Sequence, residues 1–180
     1  MADGGTGPGP ATGTDGGTDG TDHREAVAPP ALAAVEAACI AHIVTRHGRV
    51  GSLAEAAAAR GVRPGDIVKT LVVRRADDDF VFVLVPGDRE ISWPKLRAFL
   101  GVNRLSMPSA DVARAATGYE RGTITPFGSS HPWPVVADST VAGRPISLGA
   151  GTHGLAFTAD GSDVIRALQA QVADVTDRVD

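Results

Sequence analysis

Three features of this sequence could carry chemistry. The first is Lys69, set inside the apolar run Ile67-Val68-Lys69-Thr70-Leu71-Val72-Val73. The chain has only two lysines, Lys69 and Lys95, against fifteen arginines, so a lysine here departs from a composition that defaults to Arg. Strand alternation puts Lys69 on the face of Ile67, Leu71 and Val73. An unpaired ammonium buried there is costly or shifts its pKa, so it should meet a pocket, a carboxylate or a ligand. Snorkelling at a strand end is the plainer alternative. The second feature is Gly149-Ala150-Gly151-Thr152-His153-Gly154, a glycine-rich corner carrying an imidazole. Its glycines let backbone approach a neighbour or a ligand closely. The corner reads equally as a structural turn with an incidental His and as a site. The third is Gly118-Tyr119-Glu120-Arg121-Gly122-Thr123-Ile124-Thr125-Pro126-Phe127-Gly128. Such a loop can present several N–H groups to one oxygen, as anion nests and oxyanion holes do. Two ordinary turns around an edge strand would also account for it.

Other chemistries drop out. Residues 149–154 match G-x-G-x-x-G, but a dinucleotide site needs a helix at the last glycine, whereas Leu155-Ala156-Phe157-Thr158 reads as another strand. There is no Walker loop, H-E-x-x-H or G-x-S-x-G, and Ser129 and Ser130 lack a strand–Ser–helix context. Cys39 is the single cysteine, which excludes an internal disulfide or a Cys-based zinc site. His42 and His47 are five apart, not the i, i+4 of a helical ligand pair, and read as surface or capping residues. Arg74, Arg75 and Lys95 read as solvated.

The elements that must position these groups begin near Pro29-Pro30. Leu32, Val35, Cys39 and Ile43 recur at helical spacing and predict a helix over 31–47 with Cys39 as a buried thiol on its stripe. Ser52 with Glu55 makes a capping box for a helix over 53–60 that Gly61 ends. Residues 67–75 and 80–86 read as two strands joined by Ala76-Asp77-Asp78-Asp79, a hairpin loop. A helix over 94–100, a short strand over 103–106 and a Ser109-capped helix over 110–116 follow. Short strands are predicted at 123–125, 135–137, 145–148 and 155–158, and a closing helix over 162–175. This order lacks the strand–helix rhythm of a doubly wound sheet and fits an α+β fold with a mixed, curled sheet.

Composition narrows the function class. At 180 residues, 43% hydrophobic and 21% charged, the chain can bury a core without staples. Residues 1–22 hold four Asp and no Lys or Arg, which leaves 17 acidic and 17 basic residues in the remainder. A neutral body argues against sequence-blind binding along a duplex and allows a grip on one nucleic-acid end. Residues 1–28 form a Gly/Thr/Asp-rich stretch expected to be disordered, and 29–180 a single domain. No apolar run reaches the ~20 residues of a membrane span and no secretory signal is visible, so a cytoplasmic protein without a membrane partner is expected.

In chain order, 65–73, 83–89, 117–128, Pro134-Val135-Val136-Ala137-Asp138 and the corner before Gly154-Leu155 resemble the YbaK-like, prolyl-tRNA-editing-domain family. The match runs from about 31 to 175. The resemblance implies a mixed, barrel-like β-sheet flanked by helices. It also implies hydrolysis, in trans, of the ester joining a wrong amino acid to tRNA, such as tRNA-Pro carrying Cys, Ala or another small residue. Such editing is needed because a synthetase pocket separates a missing methylene by only about 1–3 kcal/mol. By the same resemblance Lys69 and His153 are the catalytic residues, Lys69 stabilising charge and His153 standing near the terminal ribose. Gly122 and Pro126 match a G-x-x-x-P loop that, with Thr123, Phe127, Gly128, Gly149 and Gly151, would bind the aminoacyl group. Asp138 would hold the substrate amine. The substrate's free 2′-OH would help activate water, so no nucleophilic side chain, metal or cofactor is expected. The implied partners are the acceptor end of a misacylated tRNA and prolyl-tRNA synthetase. Thr70 follows the lysine as in YbaK-like members, whereas Ser129-Ser130-His131-Pro132-Trp133-Pro134 is longer and more polar than the usual link. A non-catalytic aminoacyl- or nucleotide-binding module of the same fold is the alternative.

Overall fold

The computed structural model describes residues 28–179, so the expected tail at 1–28 lies almost wholly outside the described residues. Strand β2 (Val68–Ala76) turns through Asp77-Asp78 into β3 (Asp79–Pro86). Asp78 takes the left-handed conformation that the tight turn requires, φ 53°. β3 pairs in parallel with β5 (Val135–Asp138), and β5 in parallel with β8 (Gln171–Ala173), which completes a four-stranded mixed sheet in the order β2-β3-β5-β8. Both faces of this sheet are covered. That is why β3 reads as an unbroken apolar run, Phe-Val-Phe-Val-Leu-Val, instead of alternating.

On one face Val68, Val72, Phe82, Leu84 and Ala137 pack against a three-stranded antiparallel sheet. Its strands are β1 (His42–Arg46), β7 (Leu155–Asp160) and β6 (Pro145–Gly149), in the order β1-β7-β6. Helices α1 (Pro30–Ala37), α4 (Ala110–Thr117) and α5 (Gly161–Ala167) close this core through Val35, Ala113 and Val164. On the opposite face Val73, Val81, Val83 and Val136 meet Leu96 of α3 (Trp93–Leu100) and Val175. A two-stranded ribbon, β4 (Arg89–Ile91) with β9 (Thr176–Arg178), flanks that side. Helix α2 (Leu53–Arg60) starts at Ser52, whose hydroxyl accepts from the Glu55 N–H at 3.1 Å, and stops at left-handed Gly61.

The α+β architecture is the expected one. The sheets form a barrel-like wrap without closing: β2 touches β6 through one parallel bridge, Ile67 with Ser147, and then the two strands part.

Four local expectations are corrected. The helix over 31–47 ends at Ala37, and Cys39, at φ 55°, turns the chain into β1. Cys39 is exposed, and Ile43 is 71% exposed; the stripe that carried the helical reading serves a helix and a strand in turn. The closing helix over 162–175 ends at Ala167, and Gln169, at φ 49°, redirects the chain into β8. Residues 123–125 are loop, and of 103–106 only Ser106 bridges, to Arg74. Arg74, Arg75 and Lys95, read as solvated, keep solvent contact and also make surface ion pairs: Arg74 with Asp77, Arg75 with Asp79 at 2.6 Å, and Lys95 with Asp177 at 2.8 Å.

Candidate active site

The gap where β2 and β6 part is the candidate site. A pocket of about 420 Å³ opens there, within the usual range for small-molecule sites. Its floor is residues 67–72 of the β2 edge. Met107, Pro108, Ala110 and Ala113 wall one side, Gly122, Ile124 and Gly149 another, and Arg60 and Arg121 add two guanidinium groups.

Six consecutive lining residues mean that the strand's backbone edge faces the cavity. The Gly87 N–H donates to the Ile67 carbonyl, so odd-numbered β2 residues pair with β3. Val68, Thr70 and Val72 therefore aim their N–H and C=O groups outward. The pairing of Arg74 with Ser106 in both directions confirms this parity. Between the bridges at Ile67 and Arg74 the edge is left open to the pocket.

The two glycine segments are laced together. Tyr119 donates its hydroxyl to the Phe127 carbonyl at 2.8 Å, which closes the neck of the 119–127 loop. The Gly151 N–H donates to the Thr123 carbonyl at 3.1 Å, and the Thr123 hydroxyl to the Glu120 carbonyl at 2.9 Å. A Cβ at Gly151 would lie 2.5 Å from the Tyr119 ring, and φ is +79°, so both space and conformation demand glycine there. Gly122 sits at φ +92°, with the His153 ring 3.6 Å from where its Cβ would be. The N–H groups of Gly122 and Ile124 have no acceptor among the described residues.

Lys69, Gly122 and Gly149 line the pocket together, and His153 stands beside Gly122. His153 is 69% exposed and its Nε2 lies 3.8 Å from Glu120. Lys69 lies on the Leu71 and Val73 face, and its ammonium donates to the Arg89 carbonyl at 2.7 Å and more weakly to the Gly87 carbonyl at 3.4 Å. It has no carboxylate partner among the described residues. Burial lowers its pKa, partly offset by the charges of Asp88 and Glu90. Two of its three protons are in use, which leaves one for a ligand.

Other expected site residues lie elsewhere. Phe127 is core, edge-to-face with Phe157 at 5.6 Å, and Thr123 is buried. Gly128 packs on the Pro30 backbone. Pro126 lines a separate cavity of about 590 Å³ beside Trp133 and Leu168. Asp138 is a correction. It is fully buried, accepting from the Thr140 N–H and hydroxyl on one oxygen and from the Val175 N–H and Thr176 hydroxyl on the other. Burial alone would raise its pKa, but these bonds outweigh it and hold the carboxyl below its usual range. Asp138 ties β5 to the β4–β9 ribbon and is not among the pocket-lining residues. The sequence reading missed Arg60, Arg121, Met107 and Ile124. Arg121 was visible as the residue before Gly122, whereas Arg60 carried no signal beyond its place at a helix end.

Among the described residues no group of three or more His, Cys, Asp and Glu could hold a metal, and no helix is long and apolar enough to cross a membrane.

The α+β fold that carries this pocket is shared with solved structures. A structure described as a candidate trans-editing enzyme for prolyl-tRNA synthetase superposes with a TM-score of 0.73 at 25% identity, covering 81% of this chain and 94% of that one. The profile of the aminoacyl-tRNA editing domain matches residues 47–167, and the chain belongs to that family. It is 33% identical over 92 residues to the proline–tRNA ligase of Bacillus licheniformis, which covers 51% of this chain and 16% of the ligase. It is also 40% identical over 80 residues to that of Heliobacterium modesticaldum, covering 44% and 14%. The match thus spans a small part of these ligases.

Proposed function

We propose that this chain is a deacylase acting in trans on the ester of misacylated tRNA, with tRNA-Pro carrying Cys, Ala or another small residue as substrate. The observation that carries the reading is the seam pocket, lined by Lys69, Gly122 and Gly149 with His153 at its rim, in a member of an aminoacyl-tRNA editing family. The aminoacyl group would lie along the open β2 edge, where the Val68 and Thr70 carbonyls can accept from an α-amine. Water adds to the ester carbonyl, the tetrahedral oxyanion takes the free N–H groups of Gly122 and Ile124, and the ribose oxygen leaves with a proton. The substrate's vicinal 2′-OH orients the water and His153 stands near the ribose. Lys69 adds positive charge where negative charge grows. No cofactor is required. The protein works in the cytoplasm on the acceptor end of tRNA, beside prolyl-tRNA synthetase, with residues 29–180 as one domain.

The test is single-turnover deacylation of tRNA-Pro charged separately with Ala, Cys, Ser, Thr and Pro. At least one mischarged species should be hydrolysed far faster than its spontaneous rate, and Pro-tRNA spared. If none is hydrolysed while aminoacyl-adenosine analogues still bind, the chain is a binding module without turnover.

A further inference from the structure

The pocket holds two cations that the deacylation scheme does not use. Arg60 ends α2, is half-buried, and lines the cavity without a carboxylate partner among the described residues. Burial lowers its pKa, the mark of a charge that has lost water and gained no counter-ion. Arg121 lines the same cavity, again without a carboxylate among the described residues. The rim carboxylate, Glu120, faces Arg114 at 3.6 Å and His153 at 3.8 Å. Among the described residues no acidic residue lines the pocket.

Arg60 is also aimed. Its Nε donates to His47 Nε2 at 3.3 Å. His47 Nδ1 lies 2.8 Å from the Gly48 carbonyl and so carries the ring proton, which leaves Nε2 free to accept. The His47 N–H in turn donates to the Gly154 carbonyl at 2.8 Å, beside His153. A Cβ at Gly154 would lie 2.4 Å from the His47 carbonyl, so the contact is tight. The guanidinium is therefore held to the same corner as the rim histidine.

We propose that Arg60 and Arg121 form an anion subsite for the 5′-phosphate of the tRNA's terminal nucleotide, with His47 as the residue that positions Arg60. This rests on the deacylase reading. With the ester at Gly122 and Gly149, the 5′-phosphate of the same nucleotide would lie one ribose away, within reach of the pocket that Arg60 and Arg121 also line, where a planar guanidinium can take two phosphate oxygens. The subsite recognises a phosphate ester and reads no base, which suits an enzyme that must accept a common acceptor terminus.

The test uses a non-hydrolysable probe, the alanyl amide of 3′-amino-3′-deoxyadenosine, with a free 5′-OH or as its 5′-methyl phosphate. Binding is measured by calorimetry at low salt. For the wild-type protein the phosphate should tighten binding about tenfold or more. Arg60→Gln and Arg121→Gln should each remove most of that gain and leave the 5′-OH probe unchanged, while Arg60→Lys keeps part of it. His47→Leu should lower the gain and His47→Gln, whose amide oxygen can accept from Arg60, restore it. The proposal is overturned if the phosphate gives less than about a twofold gain in the wild type, or if the arginine variants keep the full gain. If neither probe binds the wild type, the deacylase reading of the pocket fails and the subsite with it.

Discussion

Replacing Asp138 by Asn separates a structural carboxylate from a substrate-holding one. The carboxylate accepts four hydrogen bonds, two on each oxygen, at 2.5 to 3.2 Å. Asn keeps one oxygen. If that oxygen faces the buried Val175 N–H and Thr176 hydroxyl, the amide NH₂ meets the Thr140 pair instead. The hydroxyl can turn to accept, and the N–H of exposed Thr140 is left to water. About one charge-assisted bond is lost, worth about 1.5–3 kcal/mol. The opposite orientation orphans the Val175 N–H and is worse. At about 2–4 °C per kcal/mol for a chain of this size, Asp138→Asn should melt about 3–12 °C lower. A carboxyl whose pKa is depressed on folding contributes stability above its unfolded value of 3.8 and loses it as pH falls through the lower folded value. The stability gap between wild type and variant should therefore be full at neutral pH and shrink below about pH 4. Circular-dichroism melts across pH measure the gap, and steady-state deacylation well below the melting point supplies the second readout, with KM unchanged. An unchanged melting temperature together with a tenfold rise in KM would refute the argument and return Asp138 to the substrate amine.

Lys69→Met should still fold, since it removes a partly desolvated charge, yet slow single-turnover deacylation about a hundredfold or more; Lys95→Met, outside the pocket lining, is the control. Near-wild-type rates in Lys69→Met would remove it from the site. Gly151→Ala forces a Cβ into the Tyr119 ring at positive φ and should cost about 1–3 kcal/mol in denaturant titration while also slowing deacylation by disturbing the Thr123 contact. Ser52→Ala removes the α2 cap and should lower stability by about 0.5–2 kcal/mol, read from urea midpoints, with activity kept. EDTA should leave the deacylation rate unchanged; loss of activity restored by zinc would overturn the metal-free scheme.

The sequence by itself determined what depends on local chemistry. Ser52 and Glu55 cap α2, Ser109 caps α4, and the run at 67–86 makes the β2–β3 hairpin, because caps, turns and apolar runs act over a few residues. It also singled out Lys69, Gly122, Gly149 and His153, the residues the fold gathers at one seam. Tertiary structure decided what periodicity cannot. The stripe from Leu32 to Ile43 is shared between α1 and β1, since pairing of β1 with β7 outweighs helix propensity beyond Cys39. Residues 171–173 become β8 because the parallel edge of β5 was open to them. Asp138, an acid at a strand end, became a buried tie once Thr140, Val175 and Thr176 converged on it from distant segments. The same long-range assembly set Arg60 against His47 and left the β2 edge unpaired, because the strands that wrap the core part after a single bridge.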